Sequence, residues 1–284
     1  MHYPGVPPTL LVLLGIASVQ FGAALAKGLF DEIGVGGTVF LRVLFAAIVL
    51  MAIWRPSPRG RSRRDLVLVA VFGLVLACMN LSFYASLDRI PLGAAVTFEF
   101  VGPLGVAVAG SRRPLDLVWV ALAAAGILLL SDLGAGGLDG LGIGLALLAG
   151  AFWAAYILLS ARIGQRYEGA DGLALAMVVG TAVLVPVGVA DAGGELLVPW
   201  ILAAGAAVAV LSSAIPYALE MEALRRLPTG VFGVLMSLEP GMAALAGYVL
   251  LGEGLAAREI VAILLVVAAS AGASRGAALA PRDA

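Results

Sequence analysis

Glu99 stands near the middle of residues 92–110, a run that is otherwise apolar and long enough to cross a bilayer. An ionisable side chain at that depth costs about +2.5 to +3.5 kcal/mol on insertion scales for comparable groups, and it is kept where it faces a cavity, a partner or a substrate. Glu239 occupies the same kind of place in residues 230–251. A carboxylate inside a membrane can hold a cationic group or carry a proton, so two of them in related segments point to a protein that moves something. The alternative is local satisfaction of each acid by a hydroxyl or by Arg42.

Other polar side chains fall in apolar runs. Asn80, the sole asparagine, is followed by Tyr84 and Asp88 at i+4 and i+8, a polar stripe on one helix face. Such a stripe lines a cavity or hydrogen-bonds to a neighbouring helix. Gln20 is the only amide in the first run, with Ser18 nearby; Trp153 and Tyr156 sit mid-run, away from the interface belts, as packing residues or as a shield around a substrate. Tyr217 and Glu220 lie deep enough to reach a cavity, whereas Glu222 and Arg226 read as an ordinary exposed i,i+4 pair. Arg42 either snorkels or pairs with an acid or a substrate carboxylate, and Lys27, the only lysine, snorkels or pairs with Asp31. Pro103, Pro216 and Pro240 each free one carbonyl and kink their helices, beside the acids in two cases. Those kinks either open space for a ligand or only shape packing.

The elements that position these residues follow from composition. Of 284 residues, 62% are apolar and 12% charged, against about 25% charged in soluble domains. A spanning helix needs about 20 apolar residues, and ten runs qualify: 10–29, 37–54, 66–87, 92–110, 115–131, 141–163, 172–190, 199–224, 230–251 and 256–274. The connections are short. Basic residues alternate between them: Arg55, Arg59, Arg61, Arg63 and Arg64, then Arg112 and Arg113, Arg162 and Arg166, Arg225 and Arg226, and Arg275 and Arg282, against only Lys27, Arg89 and Arg258 in the other set. The positive-inside rule then places both termini in the cytoplasm, in a multi-pass protein of the cytoplasmic membrane. The run 10–19 followed by Ala24-Leu25-Ala26 imitates a signal peptide, but no Lys or Arg precedes it, which favours a retained helix.

The chain also repeats itself. Arg89-Ile90-Pro91-Leu92-Gly93 matches Arg226-Leu227-Pro228-Thr229-Gly230, and Pro103 matches Pro240, at a constant offset of 137. Halves of 1–137 and 138–284 carry five runs each. Five is odd, so the second half enters the membrane inverted, as the placement of Arg89 and Arg226 in opposite connections requires. The expected fold is therefore an all-α integral membrane protein with ten transmembrane helices in two inverted five-helix repeats, an architecture of transporters with the site at the repeat interface. On the same offset Glu239 maps to Gly102 and Glu99 to Met236, so the two acids lie about one turn apart on one face of the repeat helix.

Several chemistries are excluded. His2 is the only histidine, so a Ser–His intramembrane protease is ruled out, and paired intramembrane aspartates are missing. There is no phosphate-binding loop for ATP and no Cys/His cluster for a metal. Cys78 is a lone cysteine with no disulfide partner in the chain. Neither a cofactor nor a nucleic-acid partner is expected, and any transport must draw on ion or substrate gradients.

The segment from Ile90 to Leu104, with Thr97-Phe98-Glu99 and Gly102-Pro103, resembles the fourth helix of the threonine/homoserine exporter branch of the EamA transporters, in the drug/metabolite transporter superfamily. The run from Ser212 to Glu253 is similar to the same branch, through Ser213-Ala214-Ile215-Pro216-Tyr217, Glu220 and Met236-Ser237-Leu238-Glu239-Pro240. The resemblance spans nearly the whole chain. It implies ten helices in two inverted repeats, export of small amino acids such as threonine and homoserine by alternating access, and proton exchange. Glu99, Pro103, Glu220, Glu239 and Pro240 are the motif positions it carries over. Export of other metabolites or drugs is the neighbouring alternative, and a non-transporting membrane interaction protein is the alternative of another class.

The charge pattern makes one expectation directly testable. A single cysteine introduced between Arg55 and Arg64, in a Cys78→Ala background, should resist a membrane-impermeant thiol reagent in intact cells and react after permeabilisation. Labelling without permeabilisation contradicts the cytoplasmic assignment.

Overall fold

The computed structural model describes residues 6–57, 61–109, 115–131, 138–168, 170–224, 226–227, 232 and 235–278, excepting the side chains at 107–108, 116, 130–131, 217–218, 221, 224 and 273–278. The chain is nearly all helix because hydrocarbon forces each backbone segment to satisfy its own N–H and C=O groups. In order the helices are α1 (Pro8–Lys27), α2 (Phe30–Trp54), α3 (Arg63–Leu87), α4 (Leu92–Glu99), α5 (Val101–Ala109), α6 (Leu115–Ser131), α7 (Gly140–Gly164) and α8 (Asp171–Ala192). A 3₁₀ turn (Gly193–Leu197), α9 (Pro199–Ala209), a π turn (Val210–Ala214), α10 (Ile215–Leu224), α11 (Glu239–Leu251) and α12 (Ala257–Ala278) follow. Among the described residues α1, α2, α3, α7 and Asp171–Leu197 are each long and apolar enough to cross a membrane, and four further apolar helices are shorter. The protein is a multi-pass membrane protein.

The boundaries have local causes. The Ser62 hydroxyl accepts the Asp65 N–H at the start of α3 (3.2 Å), and the Asp139 carboxylate accepts the Gly142 N–H at the start of α7 (3.0 Å). That N–H, and then the Arg89 guanidinium 3.3 Å away, holds the exposed Asp139 below the usual carboxylate range. The contribution is therefore present above the unfolded carboxylate pKa and lost as pH falls through the lower folded value. Pro8, Pro199 and Pro240 sit in first turns, where no N–H is needed. Gly252 ends α11 in a left-handed conformation, φ 67°.

Three runs that the sequence presents as continuous are broken or re-bounded. Residues 92–110 divide into α4 and α5 at Phe100, residues 199–224 widen into the π turn, and α2 begins at Phe30 with a kink at Gly34 (φ 66°, ψ 173°) ahead of the expected start at 37. Residues 230–231 lie outside the described residues, and the carboxyl-terminal part of that run is α11.

α2 packs on α8, α3 on α7 and α8, α6 on α12, α1 on α10, and α4 on α11. Large apolar side chains such as Leu117 (72% exposed) and Leu128 (71%) face outward, as a lipid-facing surface requires. Between helices, small residues set the distance. A Cβ on Gly102 would fall on the Gly150 carbonyl, and one on Gly93 would lie 2.7 Å from the Ala244 backbone.

Charges gather at the ends of the bundle. Lys27 pairs with Glu253 at 2.8 Å, not with Asp31, because the α11–α12 connection lies over the end of α1. The other Glu253 oxygen accepts the Leu92 N–H at the start of α4 (2.9 Å). At the opposite end Arg166 pairs with Asp65 at 2.6 Å, and Arg61 lies over the Tyr167 ring and 3.8 Å from Asp171. Exposed pairs of this kind contribute little each, about 0–1 kcal/mol.

The glycine crossing is the stronger constraint. Gly102→Ala should lower stability by about 1–3 kcal/mol, since a methyl must displace backbone. Gly105→Ala, where a Cβ meets nothing within 4 Å, should change it by less than about 0.5 kcal/mol. Unfolding in detergent measures both.

Candidate functional site

α5 leaves α4 at Phe100 because Pro103 has no N–H to return to the Glu99 carbonyl four residues earlier. Glu99 is therefore the last residue of α4, at an interruption of the helix. Glu239 is the first residue of α11, followed at once by Pro240, whose missing N–H would have returned to Met236. The 137-residue offset between Pro103 and Pro240 also relates Phe100 to Ser237, so the two acid-bearing helices are interrupted at corresponding positions.

The π turn has a similar origin. Pro216 cannot donate to the Ser212 carbonyl and its ring crowds that turn. The Ile215 N–H donates instead to the Val210 carbonyl, five residues back. This leaves the Leu211 carbonyl without its usual helical partner, and the Ser18 hydroxyl of α1 donates to it at 2.7 Å. The neighbouring Ser212 hydroxyl is buried with no hydrogen-bond partner among the described residues. Single-turn π segments recur at functional sites.

These interruptions border a cavity of about 290 Å³. Gln20 from α1, Arg42 from α2, Asn80 and Tyr84 from α3, Glu99 from α4, Trp153 and Tyr156 from α7, Pro216 and Glu220 from α10, and Glu239 all line it. Pro103 and Pro240 do not; they shape the helix interruptions beside it. The side chain of Tyr217 lies outside the described residues. Asp88, the end of the α3 stripe, is exposed at the end of the helix rather than on the cavity. The Glu222–Arg226 pair is present at 3.4 Å, but Glu222 is only 3% exposed, because α10 lies along α1 there; the reading of both partners as exposed is corrected.

The polar wall is ordered. The Asn80 amide donates to the Leu76 carbonyl at 2.8 Å, which turns its oxygen toward Arg42, and Arg42 Nη1 donates to that oxygen. The guanidinium lies 5.1 Å from the centroid of the Tyr84 ring. Tyr84 is held in turn by Phe30 and Phe83, at 6.1 and 5.7 Å. Trp153 meets Phe100 edge-on at 5.2 Å, and Tyr156 stacks on Phe72 at 5.3 Å, so each aromatic both packs and lines the cavity. The wall thus carries one guanidinium and three carboxylates, Glu99, Glu220 and Glu239, among apolar neighbours such as Val96, Leu173, Met177 and Met236. Among the described residues no cluster of His, Cys, Asp or Glu could hold a metal. The arrangement suits a small ligand with both positive and negative charge.

Sequence reasoning missed Ser212 as a lining residue. Its signal was available: it stands four residues before Pro216, where a carbonyl must go unpaired. Leu173, Met177 and Met79 carried no signal, since nothing distinguishes an apolar residue facing a cavity from one facing lipid.

A family model described as the EamA-like transporter family matches residues 140–275. The chain is 43% identical over 269 residues to the threonine/homoserine exporter RhtA of Salmonella typhimurium (strain SL1344), covering 94% of this chain and 91% of that one. It is 42% identical over 270 residues to the exporter of the same name from Escherichia coli (strain K12), with the same coverage. A solved crystal structure superposes with a TM-score of 0.59 over 93% of this chain and 96% of the other, at 16% identity, a likeness of fold alone.

The π turn yields a paired expectation. Ser18→Ala strands the Leu211 carbonyl and should cost about 1–3 kcal/mol, whereas Ser212→Ala removes a hydroxyl that has no partner and should be neutral or mildly stabilising. Unfolding of the two variants in detergent decides it.

Proposed function

Because the chain belongs to the EamA-like transporter family, a family of transporters rather than enzymes, we propose that it exports small amino acids of the threonine and homoserine kind. Export runs by alternating access, with protons moving in exchange. The protein crosses the cytoplasmic membrane ten times, as two inverted five-helix repeats with both termini in the cytoplasm. No ATP is consumed.

One observation carries this reading: a cavity of about 290 Å³ between apolar helices, whose wall bears Arg42 together with Glu99, Glu220 and Glu239. Ligand pockets for drug-sized molecules run from about 300 to 1,000 Å³, so this volume suits a small solute better than a bulky drug. Charged groups in a membrane interior are costly and mark substrate and proton paths. The interruptions at Phe100 and before Glu239 support the repeat, since discontinuous helices at a repeat interface are where such transporters bind substrate. The names of the relatives supply the substrate class.

Glu99 receives the substrate ammonium or carries the coupling proton. Glu99→Gln keeps the size and removes the charge. As proton carrier, the variant should lose pH-driven threonine efflux from loaded vesicles and retain threonine exchange; as ammonium partner, it should lose both. A well-expressed Glu99→Gln protein with wild-type efflux and wild-type pH dependence would make this acid structural and sink the proposed site.

A further inference from the structure

Arg42 is the one basic residue of α2, set among apolar side chains from Val39 to Trp54, and it makes no ion pair among the described residues. Its ties are to neutral groups: the Asn80 side-chain oxygen Oδ1 and the face of the Tyr84 ring. Arginines elsewhere in the molecule do find carboxylates, as Arg61, Arg89, Arg166 and Arg226 do. Three acids line the same cavity, yet none of them closes on Arg42. A guanidinium fixed at the half-buried wall of a membrane cavity, which Glu99 feels at longer range but does not contact, has an unmet demand for negative charge. It also has donors to spare: of five N–H groups, one is used on Asn80.

The support behind it is stiff. Asn80 is fixed by the Leu76 carbonyl one turn earlier on α3, and Tyr84, one turn later, is wedged between Phe30 and Phe83. The amide and the ring fix one edge and one face of the guanidinium, leaving the rest of its planar fork free. A fork in that state matches a carboxylate with two parallel hydrogen bonds.

We infer that Arg42, oriented by Asn80 and Tyr84, binds the α-carboxylate of the transported amino acid and so makes the site selective for substrates that carry a free carboxylate. Arg42 is the specificity residue; Asn80 and Tyr84 are positioning residues. The acids that line the same cavity then take the ammonium, and the site reads both charged ends of a zwitterion. Simple amines and amino-acid amides present a cation to the acids but nothing to Arg42. This inference rests on the exporter reading above, and it adds which end of the substrate is recognised and by what.

The test is competition for radiolabelled threonine by the full-length protein in lipid nanodiscs. Unlabelled threonine should compete, and threoninamide, which lacks only the carboxylate charge, should be weaker by about 10- to 100-fold, the range expected for hydrogen bonds to a charged group. Arg42→Gln should bind threonine no better than threoninamide. Arg42→Lys, which keeps a point charge without the fork, should preserve part of the preference. Asn80→Ala should lower the threonine-to-threoninamide ratio with the guanidinium still present, a change that general loosening of the protein does not produce. Equal competition by threonine and threoninamide in the wild type overturns the proposal without any variant having to fold. A folded Arg42→Gln protein that still prefers threonine overturns it too. Failure of the wild type to bind threonine or any other small amino acid is a different result, and it overturns the exporter reading beneath.

Discussion

Hydrocarbon offers no hydrogen-bond partner, so each backbone N–H and C=O carried into it must find one inside the protein. That constraint organises the structure. It makes the chain helical, and it turns the missing N–H groups of Pro103 and Pro216 into structural events. Pro103 leaves the Glu99 carbonyl without its donor and the helix breaks at Phe100. Pro216 forces the turn before it to widen, and Ser18 crosses from α1 to satisfy the carbonyl that results. The cavity lies where these departures from regular helix meet.

The same constraint explains how the polar wall is built. Asn80 does not point freely into the cavity; its amide is tied to its own helix before its oxygen serves Arg42. Tyr84 is almost wholly buried and offers a ring face, not an isolated hydroxyl. The positive charge in the cavity is therefore presented by a side chain already held by its neighbours, and little reorganisation of it remains to oppose binding.

Much of this was legible in the residues. Glu99, Glu239, Asn80 and Gln20 stand out because polar side chains are rare in such runs, and each lines the cavity. The runs themselves mark the long helices α1, α2, α3, α7 and α8. What could not be read depends on which helix lies against which. Glu222 looks like half of a solvated pair until α10 is laid along α1. Lys27 has Asp31 four residues away, yet a connection 226 positions on supplies its partner, Glu253. Glycines are frequent enough that Gly102 and Gly150 carry no mark of their contact, and methionines on the cavity look like methionines against lipid.

The contact between Gly102 and Gly150 has a thermodynamic consequence. Two backbones meet there with no side chain between them. Opening that contact inside a bilayer hands its surfaces to lipid and not to water. The large heat capacity of unfolding in soluble proteins comes from hydrating apolar surface, and none is hydrated here. The enthalpy of the crossing should accordingly vary little with temperature, and its strength should rise steadily on cooling instead of passing through a maximum. In the cold, where water-driven cores weaken, this junction of α5 with α7 becomes one of the firmer joints in the molecule.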